Sequence, residues 1–356
     1  MIDRRRARRG FGLALGAAAC ALLALSIVPR PLPGDELGGS AAPGAGDASG
    51  VGAGFTVAAP GDDPDLTEFR ADVDRIVEAG GTWIRFGVRA EVVVAQWGVD
   101  SGVRFDVSGL DTVARAAEYA RGAGLAVYLI SADGDPRPVP TAEYERSMRT
   151  YWQGLAQTFA GDVAVWQIFN EPDGLHYRTH TEIPAGQRGA YYSDLGEALA
   201  TAGEIIGALD PTALVTTNVS GYPIDSGTGA YWREFFDATA DGLDVLGLSA
   251  YPQLDPGALD RLPGLVEDME ERYGKPTIIA EVGLQTCPEC FTPAQQGAGV
   301  SAAVEALVAA GPLAILVYQL RDDALSAEPD FGILYSDGRP KAGAAEVLDA
   351  FPEPQP

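Results

Sequence analysis

From residue 51 to residue 351 the chain alternates short apolar runs with amphipathic stretches of helical period. The apolar runs predict strands at Ala53–Ala58, Thr82–Gly87, Ala126–Ser131, Ala164–Phe169, Leu214–Asn218, Val245–Ala250, Thr277–Glu281 and Ala314–Gln319. Helical stretches fall between and after them, near 65–79, 109–123, 142–159, 188–208, 229–239, 257–272, 293–310 and 340–350. Several end beside a glycine (Gly80, Gly124, Gly242, Gly274), where a left-handed closing residue is favoured. Nearly every strand reads as apolar on both faces, the pattern of a parallel sheet covered on each side. Eight strand–helix units in about 300 residues predict an α/β protein of the closed (β/α)8 TIM-barrel type. A doubly wound open sheet is the competing arrangement. It leads one to expect a Gly-rich phosphate turn after the first strand, and Ala58-Ala59-Pro60-Gly61-Asp62 is not one.

The first 52 residues stand apart from this pattern. Arg4, Arg5, Arg6, Arg8 and Arg9 precede an uncharged apolar run from Phe11 to Val28, the order of an export signal. The length of that run leaves two readings of residues 1–28 open, a cleaved signal peptide and an uncleaved membrane anchor. Arg8-Arg9-Gly10-Phe11 also resembles a twin-arginine export motif. Residues 29–52, rich in Pro, Gly, Ala and Ser, have linker composition, and residues 53–356 make up the barrel domain. The expected location is extracellular, secreted or tethered to the outer face of the cytoplasmic membrane.

Charge narrows the partners. The chain carries a formal −25, and the part beyond residue 28 is more acidic still. That balance argues against nucleic acid or an anionic membrane face and leaves a neutral oligo- or polysaccharide open. Beyond the signal only Cys287 and Cys290 remain of three cysteines. In an oxidising compartment this pair predicts a local structural disulfide, and without nearby histidines it is too small for a zinc site.

In a barrel, chemistry collects where strands end. The fourth strand runs into Trp166-Gln167-Ile168-Phe169-Asn170-Glu171-Pro172, and the seventh into Ile279-Ala280-Glu281-Val282-Gly283. Each places a carboxylate at the rim, where burying it is costly unless it is solvated, paired or functional. Strands four and seven face each other across the ring. Two carboxylates converging there suit glycoside cleavage with retention, one attacking the anomeric carbon and the other serving as acid and then base. The plain alternative is a pair of rim salt bridges.

Asn-Glu-Pro ending strand four and a lone Glu ending strand seven resemble the clan A glycoside hydrolases, with families 39 and 5 the nearest fits. That resemblance implies Glu171 as acid/base and Glu281 as nucleophile. Trp83-Ile84-Arg85 looks like the second-strand segment whose arginine contacts the nucleophile, and Ser249-Ala250-Tyr251-Pro252 like the sixth-strand end whose tyrosine bonds it. Phe331-Gly332-Ile333-Leu334 with Asp337-Gly338-Arg339-Pro340-Lys341 is similar to the closing segment of several such families. Arg85 is expected to keep Glu281 ionised, repulsion and burial to keep Glu171 protonated, and Asn170 to bond the sugar 2-hydroxyl. The chain departs from the pattern at strand eight, which ends in Tyr318-Gln319-Leu320 where many members place Trp. After strand three it offers Asp133 and Asp135 where family 5 enzymes often place His.

His176 and His180 follow Glu171 in a segment read as a loop over the cleft. That reading gives His176 a part in shaping the substrate site; metal binding and a plain solvated loop are its alternatives. Trp166 reads as core, and Trp97, Trp152 and Trp232 as packing residues. No metal or organic cofactor is expected. Ser-His-Asp hydrolysis is a poor alternative, since no Gly-x-Ser-x-Gly elbow precedes a helix and neither histidine lies late in the chain. The rival from another class is a non-catalytic barrel that binds cell-surface glycan.

Overall fold

In a computed structural model the chain forms a ring of parallel strands wrapped by helices. The structure describes residues 50–352 apart from 62–64, 99–101, 134–140, 222, 288–289 and 324–328. The export segment at 1–28 and most of the 29–52 linker lie outside the described residues.

The strands are β1 (Gly52–Thr56), β2 (Trp83–Arg89), β3 (Ala126–Asp133), β4 (Val165–Gln167), β5 (Leu214–Thr216 and Asn218–Val219), β6 (Leu246–Ser249), β7 (Thr277–Val282) and β8 (Ala314–Val317). Each pairs in parallel with its sequence neighbours, and β8 pairs back onto β1. β5 completes the ring in two pieces. Leu214–Thr216 pairs with β4 and Asn218–Val219 with β6, while Thr217 between them bonds the Phe169 carbonyl through Oγ1 at 3.0 Å.

The outer helices are α1 (Thr67–Glu78), α2 (Val107–Gly122), α3 (Thr141–Phe159), α4 (Arg188–Leu209), α5 (Thr228–Thr239), α6 (Pro256–Tyr273), α7 (Pro293–Ala310) and α8 (Ala344–Asp349). The predicted fold class and element order therefore hold. The sequence pattern did not show a hairpin between β2 and α2, Val94–Gly98 paired antiparallel with Gly102–Phe105.

Alternation along the strands sorts side chains into two cores. One lies between sheet and helices. The other fills the barrel and includes Trp83, Tyr128, Val165, Ile278 and Leu316. Trp83 lies across the start of β1, where a Cβ on Gly52 would sit 2.2 Å from the indole nitrogen, so only glycine leaves room for that ring. Two residues further along β2 the same inward face carries Arg85. The barrel thus changes from an apolar floor to a buried polar layer of Arg85, Gln167, Asn218, Ser249 and Glu281 at its C-terminal end. Burying so many polar groups is tolerable only if they satisfy one another.

Candidate active site

They do. Arg85, 1% exposed, reaches Glu281 Oε1 at 2.8 Å through Nη2. Its guanidinium also donates to Gln167 Oε1 at 3.0 Å, Asn170 Oδ1 at 2.8 Å and Thr56 Oγ1 at 3.3 Å. Burial alone would lower the arginine's pKa, but the carboxylate of Glu281 and the hydroxyls of Tyr128 and Tyr251 reverse the sign and raise it. The second oxygen of Glu281 accepts from the Tyr251 hydroxyl at 2.6 Å. Burial, then the neighbouring carboxylates, push that phenol well above its ordinary value, so it remains a donor.

Gln167 orders the layer. Its Oε1 accepts from Arg85 and, at 2.8 Å, from Tyr128, which fixes Nε2 as the donor end. Nε2 donates to Asn170 Oδ1 and Asn218 Oδ1, both at 2.9 Å. With Asn170 Oδ1 held from below by Arg85 and Gln167, the amide nitrogen of that exposed residue has no partner among the described residues and can donate to a ligand hydroxyl. Asn218 Nδ2 in turn donates to Ser249 Oγ at 3.0 Å. Gln167, Asn218 and Tyr128 were not singled out in the sequence. The legible sign was a polar side chain at the inward position of a strand otherwise buried on both faces.

Glu171 sits past the end of β4 with φ 42°, a left-handed conformation costly for a residue with a Cβ. Its backbone N–H is tied to Asn218 Oδ1 at 2.9 Å, so the polar layer that holds Glu281 also holds this turn. The Glu171 carboxyl is pushed up to about 8 by burial first, then by the charges of Glu281 and Asp173; a hydrogen bond from Ser249 and the charge of Arg85 oppose the shift. Asp173 is buried, and accepts from the Ser220 N–H at 3.0 Å and the Tyr231 hydroxyl at 2.6 Å. These donors to Asp173 are neutral, so its charge still acts on Glu171 two residues away.

This raised pKa has a consequence for stability. The folded state binds a proton that the unfolded chain releases near its ordinary value of 4.5, so Glu171 costs stability as pH rises from there toward about 8. Glu171→Gln mimics the protonated acid. Its unfolding free energy in urea should match the wild type near pH 4.5 and exceed it at pH 8 by on the order of 1–2 kcal/mol after discounting for partial exposure, with the midpoint moving the same way. Equal midpoints at both pH values would contradict a proton-holding Glu171.

The remaining expected site residues divide. Tyr318, half-buried at the end of β8, packs edge-on against Phe331 at 5.3 Å, and Phe331 against Tyr251 at 6.0 Å. The closing segment thus braces the Glu281 side of the cleft. His176 stacks on Tyr177 at 5.4 Å and packs tilted against Tyr191 at 4.8 Å, and its Nδ1 accepts the Arg178 N–H at 3.2 Å. Burial and the nearby Arg178 charge lower its pKa. The structure brings His180, not His176, to the wall of a cavity of about 310 Å³ that opens beside Glu171. Trp97, read as packing, lines that cavity too, whereas Trp152, Trp166 and Trp232 are core. Cys287 and Cys290 are joined as a disulfide beyond β7. Asp135 lies outside the described residues.

No protein-family model matches the chain, and no curated protein matches it in sequence. Solved structures do match in shape. GH5_18 from Streptomyces cattleya in complex with GlcNAc superposes with a TM-score of 0.64 at 16% identity, over 87% of this chain and 83% of that one. The beta-glycosidase from the hyperthermophile Thermosphaera aggregans gives 0.62 at 13% identity, over 85% and 95%. A thermostable mutant of a xylanase (Xyn10A) from Cellvibrio japonicus gives 0.61 at 19% identity, over 84% and 97%. The chain shares the (β/α)8 fold of these glycoside-cleaving enzymes.

Proposed function

We propose that the protein is a retaining glycoside hydrolase acting on β-linked glycosides. The observation that carries this reading is the contrast between two carboxyls on one polar layer. Glu281 has both oxygens bonded, to Arg85 and Tyr251. Glu171, in electrostatic contact with it, keeps its proton toward neutral pH. In the first step the Glu281 carboxylate attacks the anomeric carbon. The bond to the leaving oxygen breaks with its electron pair on that oxygen, which takes the Glu171 proton. In the second step Glu171, now a carboxylate, removes a proton from water whose oxygen displaces Glu281. The free amide of Asn170 would hold the sugar 2-hydroxyl through both steps. The Arg-rich, then apolar N-terminus and the disulfide support export as part of the same proposal.

The test is a panel of β-glucan, xylan, mannan, galactan and aryl β-glycosides, with the first-formed sugar followed by NMR before mutarotation. Retention predicts the β anomer first. An α anomer first would replace double displacement with direct displacement by water. Saturable glycan binding without cleavage would favour the non-catalytic barrel.

A further inference from the structure

The cavity beside Glu171 is a feature that the polar layer leaves unexplained. Its wall includes Glu171 and Asn170 but not Glu281, Arg85, Tyr251 or Tyr318. It therefore lies on the acid's side of the cleft. On the reading proposed above, the group that accepts the Glu171 proton leaves toward this side.

The way the wall is built indicates what fits there. The hairpin after β2 lies on α3 through two close approaches. A Cβ on Gly102 would meet Thr150 Oγ1 at 2.3 Å, and one on Gly154 would meet the Phe105 ring at 2.2 Å. Phe105 stacks on Tyr151 at 6.0 Å, and Trp97 from the same hairpin lies 5.4 Å from Tyr151. This packing delivers Trp97 to a wall shared with Tyr144, Tyr151, Phe169 and Tyr177. Leu175, 47% exposed, extends the apolar surface to the mouth.

The polar side chains of the wall are Asn170, Glu171, His180 and the tyrosines, and the proposed reaction already uses Asn170 and Glu171. Among the described residues that line it there is no lysine, arginine or aspartate, and the Tyr177 hydroxyl is already committed to Asp194 at 3.0 Å. A second sugar brings several hydroxyls, each costing about 1–3 kcal/mol if buried without a partner. A cavity near 310 Å³ is at the small end for ligand sites and suits a single ring.

We infer that this cavity is the leaving-group site and that it selects an apolar, ring-bearing alcohol over a second sugar. The inference rests on the glycosidase reading, and its test separates the two. Using the full chain and the sugar identified by the panel, kcat/KM is compared for the benzyl β-glycoside, the methyl β-glycoside and a disaccharide. Benzyl alcohol is a poorer leaving group than a sugar hydroxyl, so any preference for it comes from the cavity. The expected result is a benzyl glycoside favoured at least tenfold over both others. Trp97→Ala and, at the exposed mouth, Leu175→Asp should lower the benzyl glycoside at least tenfold more than the disaccharide and so erase that preference. Binding of benzyl alcohol alone, followed by tryptophan fluorescence, should be saturable and weakened in both variants.

A disaccharide cleaved as well as the benzyl glycoside would overturn the inference and leave the glycosidase standing. So would both substrates falling equally in the variants. Saturable benzyl alcohol binding with no glycoside cleaved would bring down the glycosidase reading and the leaving-group assignment with it.

Discussion

Glu281→Ala is expected to lower kcat by on the order of a thousandfold or more, and sodium azide should restore turnover with inverted stereochemistry. The removed carboxylate leaves a space facing the anomeric carbon, bordered by Arg85 and Tyr251. Azide entering that space attacks from the face Glu281 would have used, so a β-glycoside yields an α-glycosyl azide. The product cannot be hydrolysed further, since no nucleophile remains. Glu171→Ala is expected to behave oppositely. Substrates with good leaving groups still form the glycosyl–Glu281 ester without an acid, and azide then attacks from the Glu171 side to give the β-azide. The two products, separable by NMR, assign the carboxyls independently of any rate. Exchange of the two outcomes between the variants would reverse the assignment of nucleophile and acid/base.

The residues in that experiment were legible in the sequence because each ends an apolar run. A carboxylate after Ile278-Ile279-Ala280 or after Trp166–Phe169 has no reason to be there on packing grounds. The barrel was legible for a related reason, since strands buried on both faces need helices on the outside. Gln167 was harder to see. It lies between Trp166 and Ile168 inside a run that reads as core, and its importance depends on which neighbours share its height in the ring. Arg85 comes from β2 and Asn218 from β5, so only the closed register brings all three to one layer.

The hairpin at Val94–Phe105 failed for a different reason. Its alternation is short, and it is held by glycine contacts with α3 that no local pattern reveals. The segment after Glu171 placed two histidines four residues apart with no periodicity to orient them. His180 at the cavity wall and His176 against Tyr191 are consequences of that loop's tertiary packing.

Arg85 carries the largest expected effect on folding. Arg85→Met keeps similar length and apolar bulk but removes the donors that Thr56, Gln167 and Asn170 rely on, and the one ion-pair partner of Glu281 among the described residues. Removing one member of a buried pair costs about 3–5 kcal/mol, because the other charge remains buried. At roughly 2–4 °C per kcal/mol for a large domain, Tm should fall by on the order of 10 °C. Arg85→Lys should lie between, since an ammonium keeps the charge but cannot spread its donors across four partners.

The decisive variant is the double one. If the loss comes from an uncompensated carboxylate, Glu281→Gln in the Arg85→Met background removes the charge that lost its partner. The double variant should then be more stable than Arg85→Met alone, with a coupling of about 1 kcal/mol or more between the two sites. If the loss comes only from the unbonded amides of Gln167 and Asn170, the two substitutions will add. In that case the buried layer is held by its hydrogen bonds rather than by the ion pair, and Arg85 acts on Glu281 only through position.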